Sequence, residues 1–180
     1  KDSIVKCHRA WLGEVSNPYR DYIGIYQSTL PPLPTGLTPA EIESSRGSVS
    51  VSSQGIEMYG TGTVGGQRDS FFLVHGQHYG DFEMTVKVQV LSAGGGDSYA
   101  GLMIRESSSP GSIYYAAGVN NNNQLQTSQR ESSRDTATTN VPGQSADASS
   151  MWLKMSKTNN VLNAQSSKDG DDWEDIGKSS

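Results

Sequence analysis

The sequence has one cysteine, Cys7, in 180 residues, so no internal disulfide can form and a small disulfide-stapled fold is excluded. The lone thiol mildly favours a reducing compartment, the cytosol or an organelle interior. A processed N-terminus stays open as well, because the chain begins at Lys1. Basic residues are scarce: 14 Lys and Arg against 19 Asp and Glu give a net charge of −5. Without a basic surplus there is little to neutralise phosphates, which argues against nucleic acid and against an anionic lipid surface as partners. Long apolar runs are missing too. Runs such as Phe71 to Val74 fall far short of the roughly 20 residues of a membrane span. None of the nine asparagines begins an Asn-x-Ser/Thr sequon, so a glycosylated exterior has no support.

What is abundant is turn chemistry. Glycine (20), serine (27) and proline (7) are nearly a third of the chain, a level shared by low-complexity segments and loop-rich β domains. Periodicity decides between them. Residues 82 to 90, FEMTVKVQV, alternate strictly, with Phe82, Met84, Val86, Val88 and Val90 on one side and Glu83, Thr85, Lys87 and Gln89 on the other. That is an antiparallel strand with one dry and one wet face. Similar runs occur at 48–53, 56–59, 71–75, 99–105, 113–119, 125–130, 151–156 and 161–166, bounded by glycine, proline, serine, aspartate and asparagine clusters. Seven to nine such strands predict an all-β, antiparallel two-sheet sandwich. Thr38 to Ser44 is the single helix candidate, with Thr38 as cap and Pro39 at the first helical position. The serine- and threonine-rich stretch 128–150 reads as a long exposed loop. The length fits one domain, with no repeat at 20 to 50 residues. The stiff Leu30 to Pro34 spacer separates an extended N-terminal arm and spacer (1–45) from the sandwich (46–180). The arm is rich in large side chains, Trp11, Tyr19, Tyr22, Ile23, Ile25 and Tyr26, which favour a surface to cover.

From Gly55 to Gly177 the order of motifs resembles concanavalin A-like jelly-roll modules. The likeness is to a family of unknown function attached to bacterial glycosidases and found in fungal regulator-of-enolase proteins. The matching stretches are GIEMYG (55–60), RDSFFLVH (68–75), YGDFEMTVKV (79–88), AGLMIRES (100–107), QLQTSQR (124–130), WLKMSK (152–157) and SKDGDDW (167–173). The resemblance implies a two-sheet sandwich with an ancillary carbohydrate-binding or unassigned, non-catalytic role. The family usually continues with two or three more strands, so this chain is expected to leave a sheet edge unpaired. Tyr22 to Gln27 of the arm would then cover that edge, or add to a partner's sheet.

Catalytic patterns are weak. Asp169, Asp171, Asp172, Glu174 and Asp175 could supply an acid and a nucleophile, or hold calcium, but a solvated hairpin turn is the better account of them. Of the three histidines, His8, His75 and His78, the last two would make a zinc set with Cys7 only if the arm folded back. Gly94 to Gly96 lacks the following lysine and helix of a phosphate loop. No cofactor, metal or enzymatic activity is therefore expected. Alternation assigns Ala100, Leu102, Ile104, Leu153 and Met155 to the core. It leaves Met103, Arg105, Gln126, Arg130, Trp152 and Lys154 for a ligand-binding face; alternatively Trp152 and Trp173 plug the core ends and Arg105 makes an internal ion pair. The expected function is a non-enzymatic interaction or structural subunit docking onto a larger protein assembly through its aromatic arm, with a carbohydrate-binding module using the Trp, Arg and Gln face as the alternative. A glycoside hydrolase is the remote alternative.

Overall fold

The computed structural model describes residues 32–89, 99–120, 122–147 and 150–179. Among these no helix forms, and so none is long and apolar enough to cross a membrane. Twelve strands are present: β1 (Thr38–Ile42), β2 (Gly47–Ser52), β3 (Gly55–Gly60), β4 (Phe71–His75), β5 (Phe82–Val88), β6 (Tyr99–Arg105), β7 (Tyr114–Asn120), β8 (Leu125–Arg130), β9 (Thr138–Asn140), β10 (Met151–Thr158), β11 (Val161–Ser167) and β12 (Glu174–Ser179). They build two antiparallel four-stranded sheets, ordered β12-β11-β10-β5 and β6-β7-β8-β9, and two pairs, β1-β4 and β2-β3.

The two large sheets bury one face of each against the other. Val86 and Val88 of β5, Met151, Leu153 and Met155 of β10, Ala164 of β11 and Ile176 of β12 meet Leu102, Tyr115, Ala117, Val119 and Leu125 of the facing sheet. The expected core parity holds: Leu102, Leu153 and Met155 are buried, and Ala100 and Ile104 pack against them. The strictly alternating β5 does as its pattern demands, with Val86 and Val88 inside and Lys87 turned out. Met84 departs from this, being 38% exposed near the start of the strand.

Local chemistry sets the connections. β10 and β11 join through Asn159 and Asn160, with φ of 49° and 66°. Two successive left-handed residues are the signature of the hairpin turn whose twist matches its strands, and asparagine tolerates that region better than most residues. Asp81 Oδ1 accepts the Asn159 N–H at 3.1 Å, tying this turn to the start of β5.

Three sequence expectations are corrected. Thr38 to Ser44 is not a helix: residues 38–42 form β1, paired with β4 from Thr38↔His75 to Ile42↔Phe71. Burial of Ile42, 1% exposed, outweighs a local capping pattern too short to sustain a helix alone, and Pro39 is tolerated because the pair has only two strands. Stretch 128–150 is not a continuous loop, since Thr138–Asn140 pairs with Thr127–Gln129 of β8. The strand count exceeds seven to nine; β1, β9 and β12 carry too little apolar alternation to be seen.

Candidate functional site

The six residues expected on one face divide between two sheets. Met103 and Arg105 lie on β6 and Gln126 and Arg130 on β8, whereas Trp152 and Lys154 lie on β10 of the opposite sheet. The first four look away from the shared core, as do the last two, so they point out of opposite sides of the sandwich.

On the β6-β7-β8-β9 side the arginines are committed internally. Arg130, 1% exposed, donates from Nη1 and Nη2 to both oxygens of the buried Asp69, each at 2.8 Å. Its remaining donors reach the carbonyl oxygens of Asp135, Ser112 and Gly66 at 2.9 Å. Arg105 donates to Asp69 Oδ2 at 3.3 Å and to the carbonyls of Ser107 and Ser109 at 2.7 and 2.6 Å. Their guanidinium planes also rest on aromatic rings, Arg105 on Phe71 and Arg130 on Tyr114. Burial pulls the Arg105 pKa down, opposed by Asp69; for Arg130 the hydrogen bonds to Asp69 win over burial and push it up. Every arm of Arg130 is engaged, and the cluster ties the loops before β4, after β6 and after β8 together. Gln126 Oε1 accepts from Asn120 Nδ2 at 3.5 Å, and Met103 Sδ faces Arg105 Nη1 at 3.6 Å.

The outer face of β12-β11-β10-β5 is different. The register sets Thr85, Lys154, Gln165 and Asp175 in one row across the four strands, with Lys87 and Trp152 in the next. Asp175 Oδ1 accepts from Gln165 Nε2 at 2.9 Å and from Asn163 Nδ2 at 3.2 Å, and these bonds hold its carboxyl below the usual range. Trp173, from the β11–β12 turn, joins this face: Lys154 Nζ lies 4.0 Å from its ring centre and 3.9 Å from Glu83 Oε1. Trp152 is held from two directions, by Lys87 Nζ at 5.5 Å from its ring and by the Gly170 turn, where an added Cβ would lie 3.1 Å from the indole Cε2. Both indoles are half-buried. The result is an outward-facing group of two braced indoles, two amides, a carboxylate and two ammonium groups.

The turn beneath Trp152 is a closed unit. Asp169 Oδ1 accepts the backbone N–H groups of Asp171 and Asp172 and the Ser167 hydroxyl, at 2.9, 3.0 and 2.9 Å. Those bonds hold its carboxyl down at about 2. Gly170 at φ 96° completes the bend. The acidic cluster is therefore built as a turn. No group of three or more metal-ligating side chains is found among the described residues. His78 sits edge-on to Phe82, with a ring nitrogen 3.0 Å from the Asp81 carbonyl. Trp11, Tyr19, Tyr22, Ile23, Ile25, Tyr26, Cys7 and His8 lie outside the described residues.

Sequence reasoning missed Asp69, whose position ahead of β4 carries no signal until the fold brings it under Arg130. It also missed Asn163 and Gln165, which the parity of β11 would have assigned to the Trp152 face. Comparison with family models, curated proteins and solved structures finds no match for this chain.

Proposed function

We propose that this chain is a non-catalytic, concanavalin A-like binding module that engages a carbohydrate on the outer face of β12-β11-β10-β5. The observation that carries the reading is that Trp152, Trp173, Asn163, Gln165 and Asp175 share one outward-facing side of this sheet. Aromatic planes bury the apolar face of a sugar while amide and carboxylate groups satisfy its hydroxyls, and both kinds are present within neighbouring strands. Lys154 lies over one face of Trp173 and beside Glu83 at once, so a stacking ring competes with a cation and not with packed core. Binding is favoured over hydrolysis because Asp169 is committed to the amides of its own turn and Asp175 to Asn163 and Gln165. Screening the chain against a glycan array, alongside Trp173→Ala, tests the reading. Recognition of a defined set of glycans that the variant loses is expected; undiminished recognition by the variant rejects this face.

The docking of the module onto a protein assembly keeps one support of its own. All three residues of the end strand β9 are exposed, and an uncovered strand edge is a template for an added strand. Purification of the chain solely as a monomer, with no partner that competes for β9, would remove this second reading.

A further inference from the structure

The two large sheets end in four edge strands, β12, β5, β6 and β9. An uncovered edge is a template for another chain, and shortness, bulges and committed charges blunt it. Three of the four are blunted in one of these ways. β9 has only three residues. β12 is bulged at Ile176, between its pairings Asp175↔Gln165 and Gly177↔Ala164. β6 has Arg105 as its one charge, and that charge is spent on Asp69. β5 is not blunted. Its register against β10 runs unbroken from Phe82↔Lys157 to Val88↔Met151, and among the described residues its other edge pairs with no strand.

The sequence of β5 fits itself. Hydrogen-bonded and non-hydrogen-bonded residue pairs alternate along an antiparallel ladder, so a two-fold axis between two copies of one strand must set a residue opposite its own copy. Thr85 is the middle residue of β5. Centring the axis there sets Glu83 of each copy opposite Lys87 of the other on the outer face. On the core side it sets Met84 opposite Val86 and Phe82 opposite Val88. Opposite charges and apolar pairs are the cross-strand neighbours that stabilise such a ladder. The exposure of these side chains agrees. Met84 is 38% exposed although it lies on the core side. The Glu83 side chain is 62% exposed, with Lys154 no closer than 3.9 Å. Lys87 lies over Trp152 and makes no salt bridge among the described residues. We propose that this chain forms a symmetric dimer by antiparallel pairing of β5 with β5 of a second copy, joining two four-stranded sheets into one. The axis is perpendicular to the sheet, so the two indole groups come to lie on the same side of a continuous surface. The dimer does not depend on sugar binding by that surface; where a ligand carries repeated units, two coplanar sites raise its avidity.

Sedimentation of the full chain over a range of concentrations, alongside two single variants and their combination, tests the pairing. A concentration-dependent equilibrium between monomer and dimer is expected. Glu83→Lys sets lysine against lysine at both symmetric positions, and Lys87→Glu sets glutamate against glutamate. Each is expected to weaken the dimer by about tenfold or more. The two substitutions together restore opposite charges and are expected to recover most of the affinity. Amide hydrogen exchange supplies a second measurement on the unaltered chain: the β5 amides turned away from β10 should become protected as concentration rises. A chain that stays monomeric at every concentration overturns the proposal. So does a dimer that both single variants leave unchanged, which moves the contact to another surface, or one that the combined variant fails to restore. Exchange of those β5 amides at a rate independent of concentration overturns it as well.

Discussion

Arg130 and Asp69, 61 positions apart in the chain, form a two-pronged ion pair in which both side chains are completely buried. Fork-to-fork geometry is the strongest arrangement open to such a pair. Removing one partner leaves a charge stranded in the interior, which costs far more than the pair contributes. Arg130→Ala and Asp69→Ala are each expected to lower stability by about 3–5 kcal/mol in urea unfolding. Asp69→Ala should be the worse of the two, since it strands Arg105 as well. Losses below about 1 kcal/mol would mean that the cluster is solvated and not structural.

Much of this architecture was legible in the chain and part was not, for physical reasons. β5, β6 and β10 declare themselves because one face is dry and the other wet, and Leu102, Leu153 and Met155 fell inside as their parity required. β1 did not, because TPAEI carries a helix-start pattern and becomes a strand only when β4 is beside it. Arg105 and Arg130 were correctly placed on the outward parity of their strands, yet parity is blind to what covers an outer face. Asp69 and the loops around it cover this one, so Arg105 makes the internal ion pair that was its alternative reading, and Arg130 joins it. Trp152 and Lys154 kept outward positions because nothing described lies across them but Lys87, Trp173 and the Gly170 turn.

The hairpin Asn159-Asn160 makes a sharper test of local conformation. Both residues sit at positive φ, where a β-branched side chain is strained by roughly 1–2 kcal/mol. Asn160→Val is expected to destabilise the protein by about that amount, and Asn160→Gly to leave it unchanged or slightly more stable. Equal stability of the valine variant, measured by thermal unfolding, would argue against this turn.

Asp169 links the turn below Trp152 to pH. Its carboxyl is held down at about 2 from an ordinary 3.8 by the N–H groups of Asp171 and Asp172 and by the Ser167 hydroxyl. A depressed folded-state pKa stabilises the fold above the unfolded value, and that stability fades as pH falls through the folded one. The turn should therefore be intact at pH 5 and loosen between about 4 and about 2. Carbon-detected NMR of the Asp169 carboxyl is expected to give a midpoint near 2; a midpoint at the ordinary value would show that the turn bonds are not formed in solution.

Tyr115 has the opposite pH signature. Its phenol is raised from 10.0 to about 12, chiefly by burial, so the folded state holds its proton where the unfolded chain has lost it. The resulting stability is complete below pH 10 and is lost as pH climbs toward 12. Burial also raises Tyr99 and Tyr114, so ultraviolet titration should find several late-ionising tyrosines, one fewer in Tyr115→Phe; an unchanged late fraction in that variant would contradict the burial of Tyr115.

Titrating the folded chain with the oligosaccharide that binds best, while following the three indole N–H signals by NMR, addresses the carbohydrate face most directly. Trp152 and Trp173 should shift together in proportion to occupancy, with the side-chain amides of Asn163 and Gln165, and Trp173→Ala should remove the whole set. Bound sugar that leaves both indoles and both amides unmoved would contradict the assignment of binding to this surface.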